Sequence, residues 1–378
     1  MKPSERLLSL DVFRGITIMG MILVNNPGTW SAIYPPLEHA KWHGCTPTDL
    51  IFPFFLFIVG VAISYSLSKR KAQGGNMKSL YLNIFRRTII LFGLGLILAT
   101  FPFGLLFGHH FSIETIRIPG VLQRIAIVYM ISSILFLSTN TKFQYWFTGS
   151  ILVIYAMIMS FIPVPGIGHA NFEPTTNLSA WLDRLILGSH IWSGSKFWDP
   201  EGILSTLPAI GSAMLGIFTG NLLRSEKDQT TKTVWLFIWG GILMVAGWIW
   251  DGWFPINKNL WTSSYVLYTA GLALNFLAFC YWFIDVKKIT WWIKPFQVYG
   301  LNAITVFFLS GIVGRIMYMV KWNDLNGNVV TIKSYLFDNY FLSWLEPINA
   351  SLAWAIVYIL FWLGLMWILY AKNIFIKV

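Results

Sequence analysis

The chain has 378 residues, 56% of them hydrophobic and only 11% charged, with a mean hydropathy of +0.62. Soluble domains carry roughly 25% charged residues, so the composition excludes an ordinary water-soluble enzyme and makes the lipid bilayer the first expected partner. The net charge of +11 would suit nucleic acid, yet the basic residues fall in short loops between apolar runs, so no nucleic-acid partner is expected.

Crossing a bilayer takes about 20 apolar residues, and only helices or closed barrels satisfy the backbone there. The runs are continuous rather than alternating, which excludes a barrel. In chain order they predict an all-α, polytopic bundle of about ten transmembrane helices, near 8–25, 48–68, 84–105, 119–139, 144–163, 203–223, 233–251, 263–284, 297–319 and 351–371. "MKPSERLLSLDVFRG" leads into the first span without a small-residue cleavage site, so that span is read as retained. Within 164–202, "SAWLDRLILGSHIW" reads as a short amphipathic helix, and the mixed segment 331–346 as interfacial. Residues 1–378 form one membrane domain without internal repeats.

Charge sets an expected direction. With a cytoplasmic N-terminus, that side receives Lys2, Arg6, Lys69, Arg70, Lys71, Lys78, Arg86, Arg87, Lys142, Arg224, Lys227, Lys232, Lys287, Lys288, Lys294, Lys372 and Lys377. The other side keeps only Lys41, Arg117, Arg184, Lys196, Lys258, Lys321 and Lys333, while Arg14, Arg124 and Arg315 fall within spans. This asymmetry predicts that both termini are cytoplasmic and that 26–47, 164–202 and 320–350 face outward.

Asn25, Asn26, His39, His43 and Asp49 fall around the first outward loop. Histidine takes and returns a proton near neutral pH, an asparagine amide can donate to a developing oxyanion, and Asp49 can fix an imidazole tautomer. The alternative is that Thr46 or Thr48 caps the second helix, Asp49 favours its dipole, and both histidines are solvated. Arg124, preceded by Gln123 in "IRIPGVLQRIAIVYM", is an ionisable residue inside a span, with Arg117 at the entrance. It can grip phosphate or a carbonyl, pair with a carboxylate, or snorkel. Arg14 poses the same question, with snorkelling the simpler answer.

Asp199 and Glu201 open one helix; Asn257, Lys258, Asn259 and Trp261 open another. They either anchor helix ends or form a polar, aromatic rim for a sugar, which has an apolar face and a hydroxyl edge. Asn302 is either helix–helix glue or a cofactor contact. Cys45 and Cys280 make no disulfide framework and no metal spacing, and no metal is expected. The chain has no Walker loop, no zinc-binding HExxH, no GxSxG elbow and no periodic pair of broken half-helices.

Together, "RLLSLDVFRGITIMGMILVNN", "HAKWHGCTPTDLIFPFFLFIVG", "IRIPGVLQRI", "WDPEGILST" and "NKNLWTSSYV" resemble the heparan-α-glucosaminide N-acetyltransferase family, in order from about Arg6 to the C-terminus. The resemblance implies a bacterial homologue in the cytoplasmic (inner) membrane. It would move acetyl from cytoplasmic acetyl-CoA to the amine of glucosamine or a terminal glucosaminide outside. It also implies His39 as the active histidine, with Asn25 and Asp49 beside it, and Arg124 in the cofactor set. Arg14, Arg86, Arg87 and Asn302 join that set as candidate acetyl-CoA contacts, the paired arginines and Lys69–Lys71 as attractors of its diphosphate end. Asp199, Glu201, Asn257, Lys258, Asn259 and Trp261 remain the candidate acceptor contacts. This chain reads "NNPGTW" where the family has a glycine-rich loop, and His43 stands where the family has asparagine. The alternatives carried forward are an O-acetyltransferase of an envelope glycan and an amino-sugar transporter or flippase. A homodimer is among the assemblies considered.

Overall fold

A computed structural model describes residues 7–72, 76–104, 112–324 and 327–376. Lys2, Arg6, Lys377 and the last residue of the expected 84–105 span lie outside the described residues. The helices are α1 (Leu8–Asn25), α2 (Ile51–Ala72), α3 (Met77–Thr100), α4 (Val121–Ser138), α5 (Thr141–Phe161), α6 (Leu178–Leu187), α7 (Thr206–Arg224), α8 (Gln229–Asp251), α9 (Ser263–Cys280), α10 (Lys294–Leu301), α11 (Ala303–Met319), α12 (Ile332–Phe337) and α13 (Pro347–Ala371). A π-helical turn, Tyr281–Val286, extends α9, and a two-stranded ribbon pairs β1 (Lys321–Asn323) with β2 (Val329–Thr331).

Among the described residues nine helices are long and apolar enough to cross a membrane, or ten spans if the bent pair α10–α11 counts as one. The chain is a polytopic helical membrane protein. With α10–α11 counted as one span, the α2–α3, α4–α5, α7–α8 and α9–α10 turns fall on one face, which carries Lys69–Lys71, Lys78, Arg224, Lys227, Lys287 and Lys288. We call this the basic face. The segments 26–50, 112–120, 162–205, 252–262, 320–324 and 327–346 share the opposite, loop face.

Burial separates an inner set, α1, α2, α4, α7 and α9, from α3, α5, α8 and α13, whose apolar side chains point outward as lipid-facing surfaces do. Without a hydrophobic drive between helices in lipid, close contact depends on small residues. Between α2 and α7, a Cβ on Gly60 would lie 1.9 Å from the Ala213 carbonyl oxygen, and one on Gly216 would lie 2.0 Å from that of Phe57. The two backbones touch.

The expected continuous span 297–319 is a correction. α10 and α11 meet at 82°, and Asn302 occupies the break with φ −120° and ψ 36°. Its side chain pairs with the C-terminal segment instead of a neighbouring helix: Nδ2 donates to the Ile374 carbonyl (3.1 Å) and Oδ1 accepts from the Ile376 N–H (2.9 Å). Satisfying that segment's backbone offsets the interrupted helix. The amphipathic helix expected in 164–202 is α6, and α12 with the π-turn Asp338–Leu342 stays too short to cross.

On the loop face, Lys333 is buried and donates to the Pro27 carbonyl (2.7 Å) and to the Tyr318 hydroxyl, tying α12 to the segment after α1. Burial lowers its pKa to about 8. Between about 8 and the ordinary lysine value, the unfolded chain holds a proton that the folded one lacks. The lysine's contribution is therefore present at high pH and lost as pH falls through about 8. Thermal melting of detergent-solubilised protein from pH 10 to pH 7.5 should show wild type losing more stability than Lys333→Met; parallel curves would contradict this.

Candidate active site

The loop between α1 and α2 is fixed by its own side chains and by the α8–α9 turn. Gly44, at φ +103°, donates its N–H to the Ile256 carbonyl (2.7 Å) and bridges to Asn257. Pro47–Leu50 forms a tight turn leading into α2, and Thr46 with Asp49 makes a capping box there. Asp49 is buried, and its two oxygens divide the work. Oδ2 accepts from the N–H groups of Ala40 (3.0 Å) and Thr46 (3.0 Å) and from the Thr46 hydroxyl (3.1 Å). Oδ1 lies 2.6 Å from His39 Nδ1. Asp49 thus closes the capping box before α2 and contacts the histidine at the same time.

The His39 side chain is 47% exposed, so solvent-sized groups reach it, while Asp49 beneath is 1% exposed. A third group completes the cluster. Lys258 Nζ lies 3.0 Å from His39 Nδ1, 3.1 Å from Nε2 and 3.6 Å from Asp49 Oδ1. Burial lowers the Lys258 pKa, and the Asp49 and Glu201 carboxylates oppose that shift. Cys45 is close by, but burial pushes its thiol up to about 12, so it is no nucleophile at neutral pH. His43 is exposed and only approaches Asn257, whose Nδ2 is 3.4 Å from its Nδ1.

Other expected positions move. The rim of Asp199, Glu201, Asn257 and Trp261 is not an open rim. Asp199 is buried and receives Arg117 through Nε (2.8 Å) and Nη2 (2.6 Å), with Glu201 on the same guanidinium. These carboxylates hold the Arg117 pKa above its ordinary value although burial acts the other way. Asn257 is fully buried because it closes the α8–α9 turn, accepting from the Leu260 N–H (2.9 Å). Trp261 is buried under Arg124, with the guanidinium 5.1 Å from its ring, so it stacks on protein and not on a sugar. Asn259 stays partly exposed on the same turn.

Arg124 is 2% exposed. Nη2 donates to the Gly202 carbonyl (3.0 Å) and Ser205 Oγ (2.5 Å), while Nε and Nη1 have no partner. It braces the 199–205 turn against Trp261. Asp183, unremarked in the sequence, is fully buried and accepts from the N–H groups of Ile203 (2.9 Å) and Asp199 (3.4 Å). Burial pushes its carboxyl up to about 6. Nothing in the pattern of α6 distinguishes it from a solvated charge.

Asn25 ends α1 and lines a separate cavity of about 280 Å³ with Asn26, Arg315 and Tyr318. No hydrogen bond joins it to His39 among the described residues. In the basic-face half of the bundle, a cavity of about 370 Å³ is lined by Arg14, Ser66, Arg87, Tyr129, Gly300 and Ile376, among others. Arg87 lies over the Tyr129 ring at 4.7 Å, with Nε unpartnered, and Arg14 reaches Asp11 (3.2 Å). The Ile374–Ile376 segment that Asn302 holds contributes to the wall. Arg86 is exposed and does not line it, because successive helical residues diverge by about 100°.

Residues 6–102 match a family model described as a domain of unknown function, DUF5009. That stretch contains Arg14, Asn25, His39, Asp49 and Arg87. The mouse heparan-alpha-glucosaminide N-acetyltransferase is 30% identical over 354 residues, covering 80% of this chain and 53% of the mouse protein. The human protein of the same name is 29% identical over 428 aligned positions, covering 99% of this chain and 60% of the human one. The chain spans little more than half the length of these curated relatives. The chain is thus similar to the heparan-alpha-glucosaminide N-acetyltransferases over 80% to 99% of its own length.

Proposed function

We propose that this protein is a transmembrane acetyltransferase that moves acetyl from acetyl-CoA, bound from the basic face, to the amine of glucosamine or a terminal glucosaminide on the loop face. Both termini are then cytoplasmic and His39 faces the periplasm of a bacterial inner membrane. The observation that carries this reading is the His39–Asp49–Lys258 cluster, half open to the loop face, in a chain whose relatives bear an N-acetyltransferase name.

The residues of the basic-face cavity fit acetyl-CoA. Arg14 and the unpartnered Arg87 Nε suit a diphosphate, and apolar residues such as Phe55, Ile125 and Ile304 suit a narrow flexible arm. Along α2 the lining runs from Ser66 to Phe55, about 16 Å of helix, and Asp49 lies about 9 Å further on. When bound, acetyl-CoA supplies an acetyl group already activated as a thioester.

His39 does the proton work. Nδ1 is committed to Asp49, which leaves Nε2 to take a proton from the acceptor ammonium. The freed amine forms the C–N bond as the C–S bond breaks. Of the two protons the nitrogen loses, one leaves with the thiol through His39 and one reaches solvent. Lys258 is the cation nearest this chemistry.

Purified protein incubated with acetyl-CoA and a panel of amino sugars should yield an N-acetylated product by mass; a panel of hydroxyl-only sugars should not. Product on the hydroxyl sugars alone would favour envelope-glycan O-acetylation. Thermal stabilisation by acetyl-CoA with no product on either panel would reject transfer to a sugar. Arg87→Met should weaken acetyl-CoA binding about tenfold or more, read by calorimetry, whereas Arg86→Met should leave it close to wild type.

A further inference from the structure

Two opposite charges bracket the His39 ring. Asp49 approaches Nδ1 from the turn before α2, and Lys258 approaches from the turn before α9, almost equally close to both ring nitrogens. A point 3.0–3.1 Å from both nitrogens cannot lie in the ring plane, because on either side it would clash with the ring carbons. The Lys258 nitrogen therefore lies over the ring face. There it donates to neither lone pair and acts through its charge.

The surroundings leave few other charges to consider. Asp49 is the carboxylate in contact, Glu201 acts on Lys258 from the 199–205 turn, and the Cys45 thiol stays neutral. His43 reaches the cluster only through the Asn257 amide. One contacting carboxylate thus faces two groups that can each carry a positive charge. With both protonated, two cations would stand at contact distance over one anion, and like charges so close disfavour double ionisation.

We propose that Lys258 is a positioning residue that keeps His39 unprotonated: its ammonium, held over the imidazole by the buried Asn257–Trp261 turn, disfavours the imidazolium and leaves Nε2 ready to accept a proton at neutral pH. Without the lysine, only the Asp49 carboxylate acts on the ring, and it favours the charged form, which cannot accept a proton. The same ammonium makes a transiently protonated His39 a better acid toward the departing thiol. This inference rests on the reading of His39 as the base, and its test needs no acetyl transfer.

Diethyl pyrocarbonate acylates only neutral imidazole, so its rate against pH reports the charge state of His39 directly. Trypsin cuts at Lys41, which places His39 and His43 on separate peptides for mass analysis. In Lys258→Met the profile for His39 should move up by about one pH unit, seen as roughly tenfold slower modification on its acid side. Lys258→Arg, which keeps the charge, should follow wild type. Should Lys258→Met fail to fold, as judged by melting, Lys258→Gln serves in its place. Coincident profiles for the charged and neutral variants, or a move to lower pH, would overturn the proposal. The shift in Lys258→Met, together with wild-type protein that acetylates no sugar, would instead reject the acetyltransferase reading and leave the electrostatic one standing.

Discussion

His39→Ala should lower acetyl transfer about 10²–10⁴-fold, the usual range for removing a positioned general base, while binding of acetyl-CoA is largely retained. The loss follows from the geometry. Nδ1 is held at 2.6 Å by a buried carboxylate whose other oxygen is fixed by three donors, so the ring has a single well-defined free nitrogen. His43, the other imidazole of this loop, is turned to Asn257 instead. Two readouts separate the roles: the rate of CoA release with amino sugar present, and the thermal shift produced by acetyl-CoA alone. A variant within a few-fold of wild type in the first would remove His39 from the chemistry. A variant without the second would make its role structural.

The largest expected effect on stability belongs to Asp199. Its carboxylate accepts from Arg117 Nε and Nη2 and from the N–H groups of Trp192 (2.8 Å) and Glu201 (2.9 Å). Asp199→Ala strands two amides and leaves a mostly buried guanidinium with Glu201 alone. Breaking a buried pair from one side costs about 3–5 kcal/mol, and the effect should appear as an earlier melting transition in detergent. Replacing both partners removes the uncompensated charge, so Arg117→Met/Asp199→Ala should be less destabilised than the sum of the single variants. Simple additivity would mean that the pair contributes nothing as a pair. Because the 199–205 turn carries Gly202 and Ser205 onto Arg124, and Arg124 stacks on Trp261, the damage should also reach Lys258 and lower activity.

What could be read from the sequence follows the physics of each signal. Spans were legible because lipid demands long apolar runs, and the structure returns them with shifts at the ends, such as Met77 rather than residue 84 for α3. The break at Asn302 was hidden because its cause is remote: an amide that finds its partners in Ile374 and Ile376. The His39–Asp49 pair was legible because both belong to one short loop that has to turn back on itself. Lys258 reads from the sequence as part of a sugar rim, since no local pattern announces a contact spanning 219 positions. Arg124 is a different case. An ionisable group at membrane depth stands out in the sequence, but its partners, the Gly202 carbonyl, Ser205 and Trp261, come from distant turns that no local pattern announces. Likewise, tryptophan and asparagine before a helix suggest a sugar surface only until the burial of Trp261 and Asn257 is known.

The claim that joins these parts is transfer across the bilayer, between a cavity with Arg14 and Arg87 toward one face and His39 at the other. Vesicles reconstituted with the protein, loaded with glucosamine and supplied with acetyl-CoA only outside, test it directly. The account predicts N-acetylglucosamine inside the vesicles, matched by CoA released outside. Acetylation that occurs only when both compounds are on the same side, and never when the bilayer separates them, would contradict it.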